Sequence, residues 1–470
     1  MNTNAPVGVV VIARHGDRSD QYTASDTEIT PLGENECFQL GAMLRDLYSE
    51  SNSSTRAIVG LSSTKLDPSQ INATADAGGE GSTIYDSAVA LWQGFYPPNL
   101  AVSNETIANG SVVASPLAGY QYVQVDTVVP QDDVDFEPWT NCNAWTNRTN
   151  DFYASAAYKD KEAEQAGFFS QLKESQIVGN RTVSLKNAFN FYDYMNVQNI
   201  HNASFAAELA TLPQGTLARA ADVASWLQYN LFTDSKPDGL GNLAGRAVFP
   251  RITNSLEAFT RSDNRVKVAH YHMSYKPFLS IFNMTQLASA TNPVFSNPTS
   301  IVDYASVAVF ELRPNDDEDG SYDVRFGFKN GSSTETDVTY YPLFGTDSVD
   351  MDLATFTNKI LPSTVANNSA WCDLCGNDGS VAACKTWSIA KEYQQLADKY
   401  KRLGEPNLSN AGAGGIGAGV TIFVALLVLA LMRAVGLVAF GKKRSSKSTS
   451  NDRYPLRDRD SYNGSVSSTY

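Results

Sequence analysis

The feature that most constrains this chain is a short apolar run near its start that leads directly into a cluster of charged side chains. Residues 7–12 read Val-Gly-Val-Val-Val-Ile, and residues 13–18 read Ala-Arg-His-Gly-Asp-Arg. A short, β-branched run bounded by turn formers is typical of a buried strand. The sequence therefore predicts a strand whose carboxyl end presents an imidazole between two guanidinium groups.

The residue types in this cluster suit phosphoryl transfer. Arg14 and Arg18 carry planar, permanently charged guanidinium groups that match phosphate oxygens. His15 between them can attack phosphorus, and Gly16 lets the backbone come close to a ligand. The alternative is a basic turn at a strand end with no chemical role.

With these residues the sequence resembles the histidine phosphatase superfamily, in its acid phosphatase and phytase branch. Further similar stretches follow in the same order, at residues 30–48, 87–98, 243–246, 266–279 and 303–312. The resemblance covers residues 5–395. It implies an α/β fold of the phosphoglycerate mutase type, with a central, mostly parallel sheet flanked by helices and a helical cap insertion at about 140–240.

The resemblance also implies which side chains carry the chemistry. His15 is expected to be the nucleophile, and Arg14, Arg18 and His272 are expected to hold the phosphoryl group. Asp17 is a further candidate for substrate binding because of its place beside the nucleophile. No cofactor is implied.

The second histidine belongs to a His-Tyr-His run on a predicted strand. His270 and His272 share one face of that strand, and Tyr271 points to the other. We expect His272 to act as a cation or as a hydrogen-bond donor, while His270 is interpreted as a core or surface histidine. A His-x-His pair can also bind zinc, but no third ligand is evident near it, so no metal is predicted.

The sequence departs from the family pattern in ways that affect catalysis. Met273 stands where the family has the aspartate that protonates the leaving group, and Asp20 replaces a usual proline. A third phosphate-holding arginine also looks lost, since its best match is Ser62-Ser63-Thr64. General acid catalysis contributes about 10²–10⁴ in rate. Its loss should slow the hydrolysis of aryl phosphates or anhydrides least, because their leaving groups are acidic. The candidate replacement acids are Asp17, Asp20, Asp76 and Glu80.

These observations predict an acid phosphomonoesterase that forms a phosphohistidine on His15. The alternative is an inactive phosphatase-fold protein that binds phosphate-bearing ligands. A mutase-type phosphotransferase would share the nucleophile but would normally be soluble, which the C-terminal segment described below disfavours. The formal charge of −14 argues against nucleic acid as a partner and makes a phytate-like substrate less favourable.

The C-terminal part of the sequence predicts a membrane anchor. Residues 412–432 carry no charge, and about 20 apolar residues suffice to cross a bilayer. We predict a domain over 1–405, a Gly/Ala linker over 406–412, a transmembrane segment over 413–440 and a disordered tail over 441–470. Lys442-Lys443-Arg444 places that tail in the cytoplasm. A glycolipid-anchor signal is disfavoured by the long polar extension.

A lipid bilayer is therefore an expected partner, and the large domain is expected to be extracellular or luminal. Asn-x-Ser/Thr acceptors recur from Asn52 to Asn407. Four cysteines can form two disulfides with the pairing left open, and Cys37 remains single. No signal peptide precedes the first strand, so we expect the natural start to lie upstream of Met1. Insertion by the C-terminal segment alone would leave the domain in the cytosol.

Overall fold

The structure is a computed structural model, which describes residues 5–22, 26–49, 56–76, 81–130, 133–287, 298–315, 318, 320–334 and 337–403. The chain divides into two compact units, residues 1–392 and residues 393–470. The predicted linker, transmembrane segment and tail over 406–470 lie outside the described residues. Within the described ranges, no helix is both long enough and apolar enough to cross a bilayer.

One mixed sheet organises the first unit. The strands are β1 Gly8–Arg14, β2 Ile71–Ala75, β3 Asn104–Thr106, β4 Val112–Ala114, β5 Val125–Thr127, β6 Val268–Met273, β7 Val307–Pro314, β8 Tyr322–Lys329, β9 Thr339–Tyr341 and β10 Asp350–Asp352. The sheet order is β10-β8-β7-β1-β6-β2-β5, with β9 beside β8, while β3 and β4 form a separate ribbon. Strands β1, β6, β2 and β5 run parallel, and β7 onwards is antiparallel.

The described residues form fourteen α-helices in all. They are α1 Pro31–Tyr48, α2 Thr83–Phe95, α3 Pro116–Gly119, α4 Asn143–Ala154, α5 Ala156–Glu164, α6 Ala166–Glu174, α7 Ala188–His201, α8 Ala203–Leu209, α9 Thr216–Phe232, α10 Leu243–Phe259, α11 Lys276–Met284, α12 Leu353–Ile360, α13 Asn368–Cys375 and α14 Lys385–Leu403. Helices of the first unit, among them α1 and α2 on one side and α10 and α11 on the other, pack on both faces of the sheet. The predicted α/β fold is thereby confirmed, but the sheet expected to be mostly parallel is antiparallel from β7 onwards. Helices α4 to α9 form a continuous helical block between β5 and α10.

Strand β1 is buried on both faces, as its apolar run predicts. Val9 and Val11 pack on one side, together with residues of α1 and α2. Val10 and Ile12 pack on the other side, against residues of α10 and α11. Because side chains alternate along a strand, one continuous run of β-branched residues supplies both cores at once.

Helix α1 begins where its sequence signals indicate. Thr30 is the N-cap, its side chain accepts a hydrogen bond from Gly33 N–H at 3.1 Å, and Pro31 follows in the first turn. A threonine cap satisfies a backbone donor that the helix leaves unpaired. The cap therefore fixes the start of α1 beside the end of β1.

One of two disulfides connects the start of the helical block to the C-terminal part of the unit, and the other lies within that part. Cys142 is bonded to Cys375, and Cys372 to Cys384, which gives the pairing that the sequence leaves open. Cys37 is free and buried in α1. The two predicted disulfides are thereby confirmed.

Candidate active site

Strands β1 and β6 lie side by side and parallel, so their carboxyl ends reach the same edge of the sheet. Ala13 near the end of β1 pairs with His272 of β6. The backbone N–H of His15, one residue beyond β1, donates to the Met273 carbonyl at 3.3 Å. The register therefore brings together the two histidines that the sequence predicts for catalysis.

The loop after β1 packs tightly on the first turns of α1. The Asp17 backbone N–H donates to Glu36 Oε2 at 2.8 Å. A Cβ atom placed on Gly16 would lie 2.4 Å from the carbonyl oxygen of Gly33. Only glycine therefore fits between the loop and the helix, and this close approach fixes the backbone next to His15.

The ring of His15 is oriented by its own neighbour. Its Nδ1 lies 2.8 Å from the Gly16 carbonyl oxygen, which can only accept, so the ring proton is on Nδ1. The lone pair of the neutral ring is then on Nε2. The buried ring lies 5.5 Å from the Tyr304 ring, measured between centroids.

A chain of hydrogen bonds fixes the proton of the second histidine. The indole Nε1–H of Trp92 donates to His270 Nδ1 at 3.0 Å, and His270 Nε2 lies 3.1 Å from His272 Nδ1. An indole can only donate, so the proton of neutral His270 is on Nε2 and is directed to His272. His272 therefore carries its own proton on Nε2.

His272 is a neutral donor and not a cation. Burial, followed by the charges of His270 and His15, holds the pKa of His272 well below its ordinary range. Burial alone lowers the pKa of His270 to about 3. A hydrogen bond with the backbone of Arg14 acts in the opposite direction and raises the pKa of His272. The neutral ring of His272 therefore carries one N–H group at the end of β6, beside the end of β1.

Arg14 lies at the wall of the site. One of its guanidinium nitrogens donates to the Val302 carbonyl. The guanidinium lies 4.4 Å from the centroid of the Tyr304 ring and 5.3 Å from that of Tyr275. These aromatic faces stabilise the cation and restrict its orientation.

Arg18 is fully buried and already has an anionic partner. Its Nη2 lies 3.1 Å from Oδ1 of Asp193 on α7, and its Nη1 lies 3.2 Å from Oδ2 of the same carboxylate. The Ser19 carbonyl accepts a further hydrogen bond at 2.9 Å. The predicted phosphate-binding cation is therefore neutralised by the helical block.

Asp17, predicted to contact a substrate, makes two side-chain contacts within the protein. Its buried carboxylate accepts from the Thr30 hydroxyl and lies 2.6 Å from Nε2 of His201 on α7. These contacts attach the loop after β1 to α1 and to α7. The contact with a substrate stays a prediction.

A cleft of about 300 Å³ opens over Arg14. Among the described residues, its charged lining consists of Arg14 and three carboxylates, those of Glu36, Asp193 and Asp303. Tyr192, Tyr304 and Phe189 supply aromatic surface beside them. Burial, together with the nearby charge of Asp17, raises the pKa of Glu36.

The Ser62-Ser63-Thr64 run lies away from this edge, contrary to its predicted correspondence with the third arginine. Ser62 N–H donates to the side chain of Gln70, which immediately precedes β2, so the run lies at the amino end of that strand. The segment that leaves the carboxyl end is residues 76–83, which contain neither lysine nor arginine. Met273 is fully buried within a hydrophobic core.

Three contributors to the site were missed by the sequence analysis: Asp193, Tyr304 and His270. Asp193 lies in α7, 175 residues along the chain from its partner Arg18. No local sequence pattern predicts this pairing. Tyr304 is part of a stretch similar to the family, but that stretch indicates a strand and not a contact with Arg14. His270 offers a usable signal, because two histidines on one strand face are within hydrogen-bonding reach.

Comparison with known proteins identifies the fold. No family model matches the sequence, and neither does any curated protein. The solved phytase of Klebsiella sp. ASR1 matches with 12% identity and a TM-score of 0.54, over 77% of this chain and 96% of that one. The Hafnia alvei phytase in complex with tartrate matches with 12% identity and a TM-score of 0.51, over 77% and 98%.

These likenesses span almost the whole of the solved phytases, and they confirm the fold that the sequence resemblance implies. At this level of identity they concern the backbone architecture. The chain therefore has the fold of the histidine acid phosphatases, in the form found in phytases.

Proposed function

We propose that this protein hydrolyses phosphate monoesters through a phosphohistidine on His15. The observation that carries this proposal is the tautomer of His15, whose Nδ1 proton is held by the Gly16 carbonyl so that Nε2 bears the lone pair. Arg14 and the Nε2–H of His272 lie at the same edge of the sheet. They supply one cation and one neutral donor for the phosphoryl oxygens.

The reaction has two steps. In the first, Nε2 of His15 forms a bond to phosphorus while the bond from phosphorus to the ester oxygen breaks. In the second, water attacks the phosphohistidine, inorganic phosphate leaves, and the Nε2 lone pair is restored. Arg18 can bind a phosphoryl oxygen in this reaction only when that oxygen displaces part of its contact with Asp193.

The substrate we propose is a monoester with a small number of phosphates. The solved relatives are phytases, and one Hafnia alvei structure holds myo-inositol hexakis sulphate. In this chain the charged lining of the cleft is three carboxylates and one arginine. A highly phosphorylated ring would meet that lining with like charge, whereas a single dianion needs only the innermost donors.

The experiment that tests this function is hydrolysis of 4-nitrophenyl phosphate by the full chain, together with trapping of the labelled phosphoenzyme. We expect turnover at mildly acidic pH and a base-stable, acid-labile label that is lost in His15→Ala. The matched control is His201→Gln, which changes a half-exposed histidine of α7 and should keep the label. Turnover without any labelled histidine would overturn the proposal.

The alternative function is binding of phosphate-bearing ligands without turnover. Two observations favour it, the buried Met273 at the position expected for the proton donor and the neutralisation of Arg18 by Asp193. In that case vanadate or phosphate should still raise the melting temperature. The same ligands should not do so in Arg14→Ala.

We also propose that residues 413–440 anchor the protein in a membrane, with the large domain extracellular or luminal. The uncharged run, the basic residues beyond it and the acceptor sequences support this arrangement. The two disulfides support an oxidising compartment. We expect the expressed protein to be sensitive to an endoglycosidase. We also expect it to stay in the membrane fraction until detergent is added. A sugar-free chain would exclude the luminal arrangement.

A further inference from the structure

Asp76 directly follows β2, at the carboxyl end of the sheet and beside His272 of β6. Strand β2 pairs in parallel with β6, with Ala75 opposite His272. The Asp76 backbone N–H continues this ladder, donating to the His272 carbonyl at 2.9 Å. Because side chains alternate, Asp76 points away from the face of Ala75 and His272, and towards the face of Met273.

This is the face on which the sequence resemblance places the missing acid. Met273 belongs to the hydrophobic core that also contains Phe136 and Tyr271. Phe136 and Tyr271 lie 6.0 Å apart between ring centroids. Asp76 thus brings a carboxyl group to the same face of the sheet, one strand away from the position that Met273 occupies.

Asp76 has a second buried carboxyl group as its partner. Asp76 is 1% exposed and Asp133 is 4% exposed, and their side chains are hydrogen-bonded to one another. Two carboxyl groups can form such a bond only when one of them keeps its proton. One of the two carboxyl groups therefore holds a proton that the pair shares.

The groups around the pair favour retention of that proton. Burial, followed by the charges of Asp135 and Glu137, raises the pKa of Asp133 to about 6, against the hydrogen bond from Phe136 N–H. Asp135 is itself paired with Arg251, at 2.6 Å. The neighbouring charges that act on Asp133 are therefore carboxylates, which oppose loss of the shared proton.

We propose that Asp76 is the proton donor to the leaving group and that Asp133 is its positioning residue. This inference rests on the proposed phosphohistidine chemistry. As the bond from phosphorus to the ester oxygen breaks, the Asp76 proton passes to that oxygen and an alcohol leaves. Asp76 is then a carboxylate, which takes a proton from the water that attacks the phosphohistidine, and the starting state returns.

The other nearby carboxyl groups are committed to different contacts. Both oxygens of Glu36 accept hydrogen bonds, one from Asp17 N–H at 2.8 Å and one from the Ser332 hydroxyl at 3.4 Å, which suits the ionised form. Asp20 accepts from Tyr22 N–H at 2.9 Å and from the Gln198 amide at 3.2 Å. Neither is joined to a second carboxyl group by these bonds.

The test compares an easy and a difficult leaving group in the full-length protein. For Asp76→Asn, kcat for glycerol 2-phosphate should fall by about 10²-fold or more, while kcat for 4-nitrophenyl phosphate changes by less than about fivefold. Asp126→Asn is the matched control, an exposed carboxylate of β5 beside β2, and it should keep the wild-type ratio of the two substrates. Glu36→Gln tests the competing acid.

A second variant separates positioning from folding. Asp133→Asn gives Asp76 an amide that donates, which stabilises the Asp76 carboxylate. The basic limb of the kcat profile for glycerol 2-phosphate should then move to lower pH, with the melting temperature measured in parallel.

Equal losses on both substrates in Asp76→Asn, or a leaving-group effect in Glu36→Gln instead, would overturn the assignment while leaving the phosphohistidine intact. Absence of turnover and of a histidine label in the wild type would overturn the proposed function itself, and this inference with it.

Discussion

The guanidinium of Arg18 has the charge expected for phosphate binding, but it is already paired with a carboxylate of the protein. A guanidinium stays charged at every accessible pH, so its availability depends on what surrounds it. Here the surrounding group is Asp193, buried with it and in contact through both carboxylate oxygens. A phosphate that enters must share Arg18 with this carboxylate, and affinity for the anion is reduced accordingly.

Removing that competition should strengthen phosphate binding. In Asp193→Asn, we expect the inhibition constant of inorganic phosphate to fall about fivefold, because the guanidinium no longer faces an anion. Asp303→Asn is the matched control, since it removes the same charge from the cleft without contacting Arg18. Weaker phosphate inhibition in Asp193→Asn would mean that Asp193 is needed to orient Arg18.

Trp92 determines the position of the proton on His272 through the hydrogen bond that its indole donates to His270. In Trp92→Phe the buried Nδ1 of His270 loses its donor, which costs about 1–3 kcal/mol of unfolding free energy. The Nε2–H of His272 is then no longer enforced, so vanadate inhibition should weaken.

The tautomers themselves can be observed by ¹⁵N spectroscopy of the four histidines. Wild type should show His270 and His272 protonated on Nε2 and His15 on Nδ1. Trp387→Phe in α14 is the control that should leave the spectrum and the inhibition unchanged. Two tautomers of His272 in the wild type would contradict the assignment.

At this scale the sequence predicts the reacting groups but not their partners. Arg14 and His15 are neighbours in the chain, and His272 is placed by a strand pattern, so local signals suffice. The pairing of Arg18 with Asp193 depends on how α7 packs over the sheet, which no local pattern encodes. The same is true of Asp76, whose relation to His272 follows only from the register of β2 and β6.

Among the elements, β1 and β6 are predicted best because each is short, apolar and directly followed by chemistry-bearing residues. Their parallel register is a tertiary property, and it is what brings His15 to His272. The short strands β9 and β10 have weak patterns of their own, since their burial depends on pairing with β8. Local propensity therefore predicts the site-bearing strands better than the edge of the sheet.

Strand β6 carries two buried neutral histidines, and this makes stability depend on pH. Both folded-state pKa values lie below the ordinary value, that of His270 at about 3. As pH falls below 6.5 the unfolded chain takes up protons first, so stability present above pH 6.5 is lost towards pH 3. Asp133, with its pKa raised to about 6, acts in the opposite direction, stabilising at low pH.

The histidine contribution can be isolated with His270→Gln. Each buried neutral histidine contributes a slope of about 1.4 kcal/mol per pH unit in this range. The decline in unfolding free energy from pH 6 to pH 4 should therefore be shallower in His270→Gln than in wild type by about that amount per unit. Urea unfolding at several pH values measures it, and equal slopes would show that His270 is not buried neutral.

For the whole molecule, the charge property that bears on the choice of substrate is that the net charge of the chain and the charge of the cleft over Arg14 have the same sign. The chain carries a formal charge of −14, and the cleft over Arg14 contains three carboxylates. Both levels oppose binding of a substrate with many phosphates, and salt screens their exposed charges, such as that of Asp303. The proposed dianionic monoester would be repelled less, and the buried donors that would hold it are screened only weakly by salt.

The fold alone therefore does not decide the substrate, and ionic strength separates the possibilities. We expect kcat/KM for myo-inositol hexakisphosphate to be below that for 4-nitrophenyl phosphate at about 0.01 M salt, where the Debye length is about 30 Å. It should rise as salt increases to about 0.15 M, where that length is about 8 Å, because repulsion is screened. Asp303→Asn should raise the low-salt value for the hexakisphosphate and reduce its salt dependence. A preference for the hexakisphosphate that declines with salt would instead indicate an attractive, cation-dominated entrance and a phytase-like substrate.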